Sequence, residues 1–349
     1  MPSSDTSQFH KMTVRSVRAD TRDAAVMTLE PALAFTQGQH LVVRATINGE
    51  EVRRSYSICS AAQDGTLRIG VKRAPGGLFS NWLLDNVRPG DTLECMAPAG
   101  EFHVPLDSAS RRNYAAFAAG SGITPVFSIV KTTLLAEPRS CFTLFYGNRA
   151  SSTAILREEL ADLKDRFMER FSLIHILSRE HQDIDLFNGR IAGDKARELL
   201  ARFAPLAQLD TVFLCGPAGM IESVKPVLGG VRVKTEYFAP PDEMPRPHAA
   251  SEAGANCEVT LVLDGATYQY SLRGSSESVL DGALRSGIDV RYSCKSGVCA
   301  TCRAKLVSGQ VDMDANYALE DYEVARGFVL CCQSFPASKA VTVDFDAQD

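Results

Sequence analysis

Cys294-Lys295-Ser296-Gly297-Val298-Cys299-Ala300-Thr301-Cys302, followed after a further twenty-nine residues by Cys332, is the stretch on which the reading of this chain turns. Three cysteines in one short loop and a fourth far downstream have the plant-type spacing for thiolates that hold a [2Fe–2S] cluster. In that arrangement the loop wraps one edge of the cluster and a distant strand end returns the fourth sulfur. Zinc sites pair two Cys-x-x-Cys knuckles, whereas here there is one, with an extra thiolate five residues before it, which leaves zinc the weaker alternative. Cys331 sits beside the fourth candidate. On a strand the two side chains would point oppositely, and only Cys332 keeps the interval, so Cys331 reads as a buried free thiol. A cluster of this type moves one electron at a time, so the rest of the chain is expected to supply a donor and a route to an acceptor.

At 349 residues the chain has room for two or three domains, and 45 % hydrophobic with 23 % charged residues is an ordinary globular composition. The other cysteines, Cys59, Cys95, Cys141, Cys215 and Cys257, lack framework spacing, and residues 1–8 carry no apolar signal-peptide run. A reducing, cytoplasmic setting is therefore expected. The longest apolar run, 114–136, is interrupted by Gly120, Ser121, Gly122, Thr124, Pro125 and Lys131, which argues for strand, loop and helix over a membrane span. Net charge is −5; from Cys257 onward there are eight Lys/Arg against thirteen Asp/Glu, and the preceding residues hold 29 of each sign. That balance argues against a nucleic-acid partner. The acidic C-terminal part fits docking on a basic partner surface, or solubility alone.

Residues 12–17, 25–29, 40–47, 52–59, 66–71 and 92–96 read as short strands, separated by turn signals such as Asn48-Gly49, Asp64-Gly65 and Pro89-Gly90. With a helix at 78–85, they predict an antiparallel β-barrel over residues 1–110. Over 111–238 apolar strands (114–119, 141–146, 173–177, 212–214, 231–237) alternate with helical patterns, which predicts an α/β doubly wound parallel sheet. One of those helices is expected at 153–170, from Ile155, Leu156, Leu160, Leu163 and Phe167. Residues 239–256, with four prolines and no periodicity, read as a linker able to span roughly 23 Å. Residues 257–349 form a small α+β unit: a hairpin (258–263, 268–272), a helix at 279–286, the cysteine loop and a last strand.

Two regions look built for nucleotides. In the barrel, Arg54-Ser55-Tyr56-Ser57 offers a cation for a pyrophosphate, an aromatic face for an isoalloxazine and hydroxyls for its reactive edge. A half-buried strand with a core tyrosine would read the same way. Gly76-Gly77 before Leu78 and Ser80 can admit a phosphate to a helix start, with Val71 and Lys72 on the preceding strand completing the candidate FAD lining. In the α/β part, Gly120-Ser121-Gly122-Ile123-Thr124-Pro125 and Cys215-Gly216-Pro217, with Met220 just beyond, make two strand-to-helix turns at the edge of the sheet where ligands bind. Arg149 and Ser178-Arg179 follow the second and third strands, and cations there favour a 2′-phosphate, hence NADPH over NADH. Surface arginines are the plain alternative.

Together these motifs resemble the ferredoxin–NADP reductase superfamily with a C-terminal plant-type ferredoxin domain, over nearly the whole chain. Arg54-x-Tyr56-Ser57 is similar to its flavin signature, and the turns at Gly120 and Cys215 to its nicotinamide loops. The resemblance implies Ser57 near flavin N5, Thr124 and Cys215 near the nicotinamide, and Glu236 near the flavin, where it contributes to proton balance. Residues 311–319 and 327–336, together with 146–149, 178–180 and 186–190, are similar to the reductase subunits of phenylacetyl-CoA epoxidases. Cys331 departs from the usual threonine there, and Phe335 from the usual histidine. The resemblance implies transfer from NADPH through FAD and the cluster to a di-iron oxygenase component of a phenylacetyl-CoA epoxidase complex. The alternatives are another oxygenase system (Rieske ring-hydroxylating or steroid-hydroxylating) and a non-enzymatic cluster sensor or zinc module.

Overall fold

Alternation decides the first domain. In a computed structural model, which describes residues 9–239 and 257–347, β1 (His10–Thr21), β2 (Ala24–Glu30), β3 (His40–Ile47), β4 (Glu50–Ser57), β5 (Leu67–Lys72) and β6 (Thr92–Cys95) form one antiparallel sheet, in the order β4-β3-β6-β1-β2-β5. Met12 and Val14, Leu41 and Val43, and Leu67, Ile69 and Val71 recur at period two and fill a single core. An isolated bridge between Ile58 and Ile69, with Cys59 N–H donating to Arg68 O at 2.8 Å, brings the two outer strands together and makes the sheet a barrel. Helix α1 (Leu78–Asn86) lays Phe79 and Leu83, one turn apart, on that core.

The second domain follows in the same compact unit, His10–Phe238. Its five strands, β7 (Asn113–Ala119), β8 (Cys141–Asn148), β9 (Phe171–Leu177), β10 (Thr211–Gly216) and β11 (Arg232–Tyr237), run parallel in the order β11-β10-β7-β8-β9. Helices α2 (Ile123–Ala136), α3 (Arg157–Arg166), α4 (Gly193–Phe203) and α5 (Ala218–Val224) connect them. The strand order reverses between β7 and β10, so the loops after those two strands open a crevice at the carboxyl edge.

One expected element is shorter than its pattern. The apolar spacing predicts a helix over 153–170, but α3 covers only Arg157–Arg166. Leu156 is left-handed (φ 57°), and its N–H is taken by the Asp20 carboxylate of β1 at 2.7 Å, so the helix begins only afterwards. Ile155, Leu156 and Phe167 still pack in or against the core, which is why their spacing looks helical.

Residues 240–256, the expected linker, lie outside the described residues. The remaining unit contains β12 (Glu258–Leu263), β13 (Ala266–Ser271), α6 (Val279–Arg285), β14 (Arg303–Ser308), β15 (Val311–Met313), α7 (Asp321–Ala325), β16 (Phe328–Leu330), β17 (Ser334–Pro336) and β18 (Ala340–Asp344). Its mixed sheet, β13-β12-β18-β14-β16, has β12 and β18 parallel at the centre, and β15 pairs with β17 separately. Val279, Leu280 and Ala283 of α6 are buried, and the Ser278 hydroxyl caps its first turn by accepting Asp281 N–H at 3.1 Å. This is a β-grasp-like α+β domain.

Candidate cofactor sites

Strand β4 ends in Arg54, Ser55, Tyr56 and Ser57, whose exposure falls from an exposed Arg54 to a buried Ser57. Arg54 is exposed and donates to the Arg53 carbonyl at 2.7 Å, and the Tyr56 ring lies 6.1 Å from that of Phe79 on α1. Burial pushes the Tyr56 phenol far up, so it is a neutral aromatic surface at any working pH. Gly76 and Gly77 lead into α1, where the Ser80 hydroxyl accepts Ala74 N–H at 3.1 Å and Leu78 stays 48 % exposed. Lys72 ends β5 half-buried, its ammonium weakened by lost solvation and by Arg149 across the domain junction. Val71 differs from the expectation: its side chain lies wholly in the barrel core, so only its main chain can line a ligand.

The two α/β turns touch each other. A Cβ on Gly122 would come within 2.2 Å of Cys215 O, so glycine is what allows the loops after β7 and β10 to meet. The barrel approaches as closely: a Cβ on Gly70 would lie 2.4 Å from Thr124 Cγ2. Gly120, Ser121 and Gly122 form a single turn before α2, and Gly216 and Pro217 precede α5. Ile123, Pro125 and Met220 are buried, so they shape these turns from behind. The Thr124 hydroxyl is engaged by its own loop, donating to Ser121 O at 2.9 Å, and the Tyr146 hydroxyl lies 3.3 Å from Gly120 O.

Three residues far apart in the chain converge beside these turns. β10 and β11 pair Cys215 with Glu236, and the end of β4 brings Ser57 to the same carboxylate. Ser57 Oγ donates to Glu236 Oε2 at 3.3 Å, and Cys215 Sγ lies 3.9 Å from the same oxygen. Glu236 is half-buried as a residue, but its carboxyl is withdrawn from water. Desolvation raises its pKa from 4.5 to about 8, with the Ser57 hydroxyl opposing. Burial, and the carboxylate beside it, push the Cys215 thiol well above its ordinary value.

Farther along the edge, the parallel pairing of β8 and β9 continues past the strands. Ser178 N–H donates to Asn148 O at 2.9 Å and Arg179 N–H to Arg149 O at 2.8 Å, which sets two exposed arginines side by side. Glu180 Oε2 accepts Ser151 N–H and Oγ–H at 2.7 and 2.9 Å and closes the loop. The chain pattern had not singled out Ser151, and Glu180 entered only within the 178–180 stretch of the resemblance, with no role given to it.

In the C-terminal unit the structure brings Cys294, Cys299, Cys302 and Cys332 together. The neighbouring side chains of Cys299 and Cys332 pull the Cys294 thiol far below its ordinary range, and those of Cys294 and Cys302 push the Cys332 thiol far up. Backbone N–H groups aim at the sulfurs as well, Ser296 N at Cys294 Sγ (3.3 Å) and Cys332 N at Cys302 Sγ (3.5 Å). Among the described residues no three His, Cys, Asp or Glu side chains are grouped around a single ion. A two-iron cluster asks only for two thiolates at each iron, so this donor set fits it. One expectation changes: Cys331 and Cys332 lie in a turn after β16, not on a strand. Cys331 is fully buried in the core, with its N–H on Cys302 O and its carbonyl accepting Leu280 N–H, each at 3.1 Å.

Among the described residues no helix is long and apolar enough to cross a membrane. Residues 12–104 match the oxidoreductase FAD-binding domain family, 117–226 the oxidoreductase NAD-binding domain family and 261–337 the 2Fe-2S iron-sulfur cluster binding domain family. The chain is 42 % identical to one of the subunits of the 1,2-phenylacetyl-CoA epoxidase of Escherichia coli (strain K12), over 97 % of this chain and 98 % of that one. It is 31 % identical to the 3-ketosteroid-9-alpha-monooxygenase ferredoxin reductase component of Rhodococcus rhodochrous, over 94 % and 93 %. Among solved structures, phthalate dioxygenase reductase superposes with a TM-score of 0.59 at 26 % identity, over 97 % of this chain and 98 % of that one. The chain therefore belongs to the ferredoxin–NADP reductase superfamily, as an oxidoreductase with FAD-binding, NAD-binding and C-terminal [2Fe–2S] domains, homologous to the reductase components of oxygenases.

Proposed function

We propose that this chain takes reducing equivalents from NADPH and delivers them singly to the di-iron oxygenase component that epoxidises phenylacetyl-CoA. FAD, when bound, accepts hydride as an electron pair and releases electrons one at a time, and the cluster relays them. The protein's own residues bind, orient and manage a proton. Arg54 and the start of α1, with Gly76, Gly77 and Ser80, hold the flavin pyrophosphate, while Tyr56 covers the ring system. Ser57 stands at the reactive edge and hands its hydrogen bond to Glu236, which keeps a proton there at neutral pH. Gly120–Gly122 seats the nicotinamide pyrophosphate at the N-terminus of α2, and Thr124 and Cys215 line the nicotinamide. Arg149, Ser178 and Arg179 take the 2′-phosphate. Cys294, Cys299, Cys302 and Cys332 hold the two irons. The domains divide at 1–110, 111–238 and 257–349, and ten cysteines without a disulfide suit a cytoplasmic setting.

The observation that carries the reading is the meeting of Ser57, Cys215 and Glu236 where barrel and α/β sheet adjoin, on a chain that also gathers four thiols. The choice of acceptor rests on the relative that is 42 % identical over nearly the full length. Purified protein, NADPH and a phenylacetyl-CoA epoxidase oxygenase component should give coupled epoxidation. If only a steroid or ring-hydroxylating oxygenase is supported, the acceptor is wrong and the reductase class stands. A coloured protein that NADPH does not bleach would remove the NADPH reading.

A further inference from the structure

Four thiols on two separate segments must be held in one geometry, and the two ends of the cysteine loop are held differently. At the Cys302 end the donors are main-chain groups of the turn that bears Cys332: Cys331 N–H to Cys302 O at 3.1 Å, and Cys332 N–H toward Cys302 Sγ at 3.5 Å. The Cys294 end is tied to that turn by a side chain. Gln333 Nε2 donates to Lys295 O at 3.0 Å and to Cys332 O at 3.1 Å. Both neighbours are carbonyls, so only the NH₂ of the amide can face them, and both of its hydrogens are used.

The position of Gln333 is itself fixed. Its N–H donates to Leu330 O at 2.8 Å and its carbonyl accepts Asp314 N–H at 2.9 Å. The residue it grips is costly to leave unsupported: Lys295 directly follows Cys294 and adopts φ 55°, a left-handed conformation that a lysine favours poorly. Asp281 of α6 holds the Lys295 ammonium at 3.0 Å, but that partner does not bear a thiol. Besides the thiols themselves, the Gln333 amide joins the first-thiol end of the loop to the fourth-thiol turn.

We propose that Gln333 is a positioning residue that locks the Cys294 end of the loop to the Cys332 turn, and so governs retention of the cluster and its reduction potential. The proposal rests on the four-thiol ligand reading above. The test compares full-length wild type with Gln333→Leu, which keeps volume and removes both donors, and Gln333→Glu, which keeps length but offers carboxylate to carbonyl. Three readouts are followed: iron release to a chelator, the electron paramagnetic resonance spectrum and midpoint potential of the reduced cluster, and NADPH-driven reduction of a two-electron dye. Loss of two neutral hydrogen bonds should hasten iron release about tenfold or more. The potential should move upward as water reaches the loop, the spectrum should change, and dye reduction should stay at the wild-type rate. Variants that come out without cluster but with full dye reduction support the proposal equally. Unchanged release, potential and spectrum in both variants would overturn the proposal, and so would loss of flavin along with the cluster, because Gln333 would then act on the fold at large. A wild-type protein lacking cluster absorption would sink the ligand reading itself, which keeps the two failures apart.

Discussion

Replacing Glu236 by Gln should make the protein more stable at alkaline pH and leave it little changed in acid. Desolvation raises this carboxyl from 4.5 to about 8, so between those values the native state holds a proton that the unfolded chain has released. Stability then falls as pH rises through the window, because its slope follows the protons bound in the unfolded state minus those bound in the native state. At about 1.4 kcal/mol per tenfold change in proton affinity, the full displacement amounts to about 5 kcal/mol. Glu236 is only half-buried as a residue, so screening should reduce this to a few kcal/mol. The assay is urea unfolding of the flavin-loaded wild type and Glu236→Gln at intervals from about pH 4.5 to about pH 9.5. The difference should be small at the acid end, grow in favour of the variant up to about pH 8, and then level off. A difference that is flat across the range would refute the reasoning, and one that grows in favour of the wild type would reverse it. At pH 7 the same displacement leaves about ten carboxyls protonated for each one ionised, which is what a proton store beside Ser57 and Cys215 requires.

Other substitutions test other parts of the arrangement. Cys332→Ser should abolish the visible cluster spectrum and Cys331→Ser should spare it, while dye reduction by NADPH persists in both; the opposite spectra would exchange the ligand. Arg179→Ala should raise KM for NADPH about tenfold or more with little effect on KM for NADH, since a charge-assisted phosphate contact is lost, and equal effects would make Arg179 a surface residue. Glu159→Ala leaves Arg18 and Arg68 of the barrel without their shared partner, which they contact at 2.5 and 2.9 Å, and should lower stability to urea by about 1–3 kcal/mol. A change within about 0.5 kcal/mol would mean that this junction is held elsewhere.

Regular elements were legible where local chemistry is strict. Residues 40–47 and 258–263 coincide with β3 and β12, because alternation sets the faces and, for β3, the turn at Asn48-Gly49 points to the same register. α3 was over-read because apolar spacing reports burial, and Ile155 and Leu156 are buried in non-helical backbone; the Asp20 contact that delays the helix comes from 136 residues away. The cysteine interval singled out Cys332 without revealing the turn around it. Ser57 and Glu236 are 179 positions apart, so periodicity could not pair them, and only the family resemblance set both near one flavin. Gln333 and Glu159 look like ordinary polar surface residues in the sequence; what distinguishes them is the partner each finds.

The junction of barrel and α/β sheet explains why the Ser57–Glu236 contact can exist at all. Its two residues belong to different domains, and a slip of one ångström would lengthen 3.3 Å beyond hydrogen-bond reach. Any one exposed ion pair would be too weak to prevent that slip. The junction instead uses several partly buried ties from separate elements. Glu159 joins Arg18 and Arg68, Asp20 caps Leu156, Lys131 reaches Asp64 at 2.8 Å, and Ala62 N–H donates to the Thr132 hydroxyl at 3.2 Å. Behind them Gly70 admits Thr124 so closely that no larger residue fits. The bonds fix direction and the glycine contact fixes distance. A larger residue at position 70 should therefore disturb the Ser57–Glu236–Cys215 cluster more than loss of any single ion pair, although Gly70 touches none of the three carboxylate, hydroxyl or thiol groups.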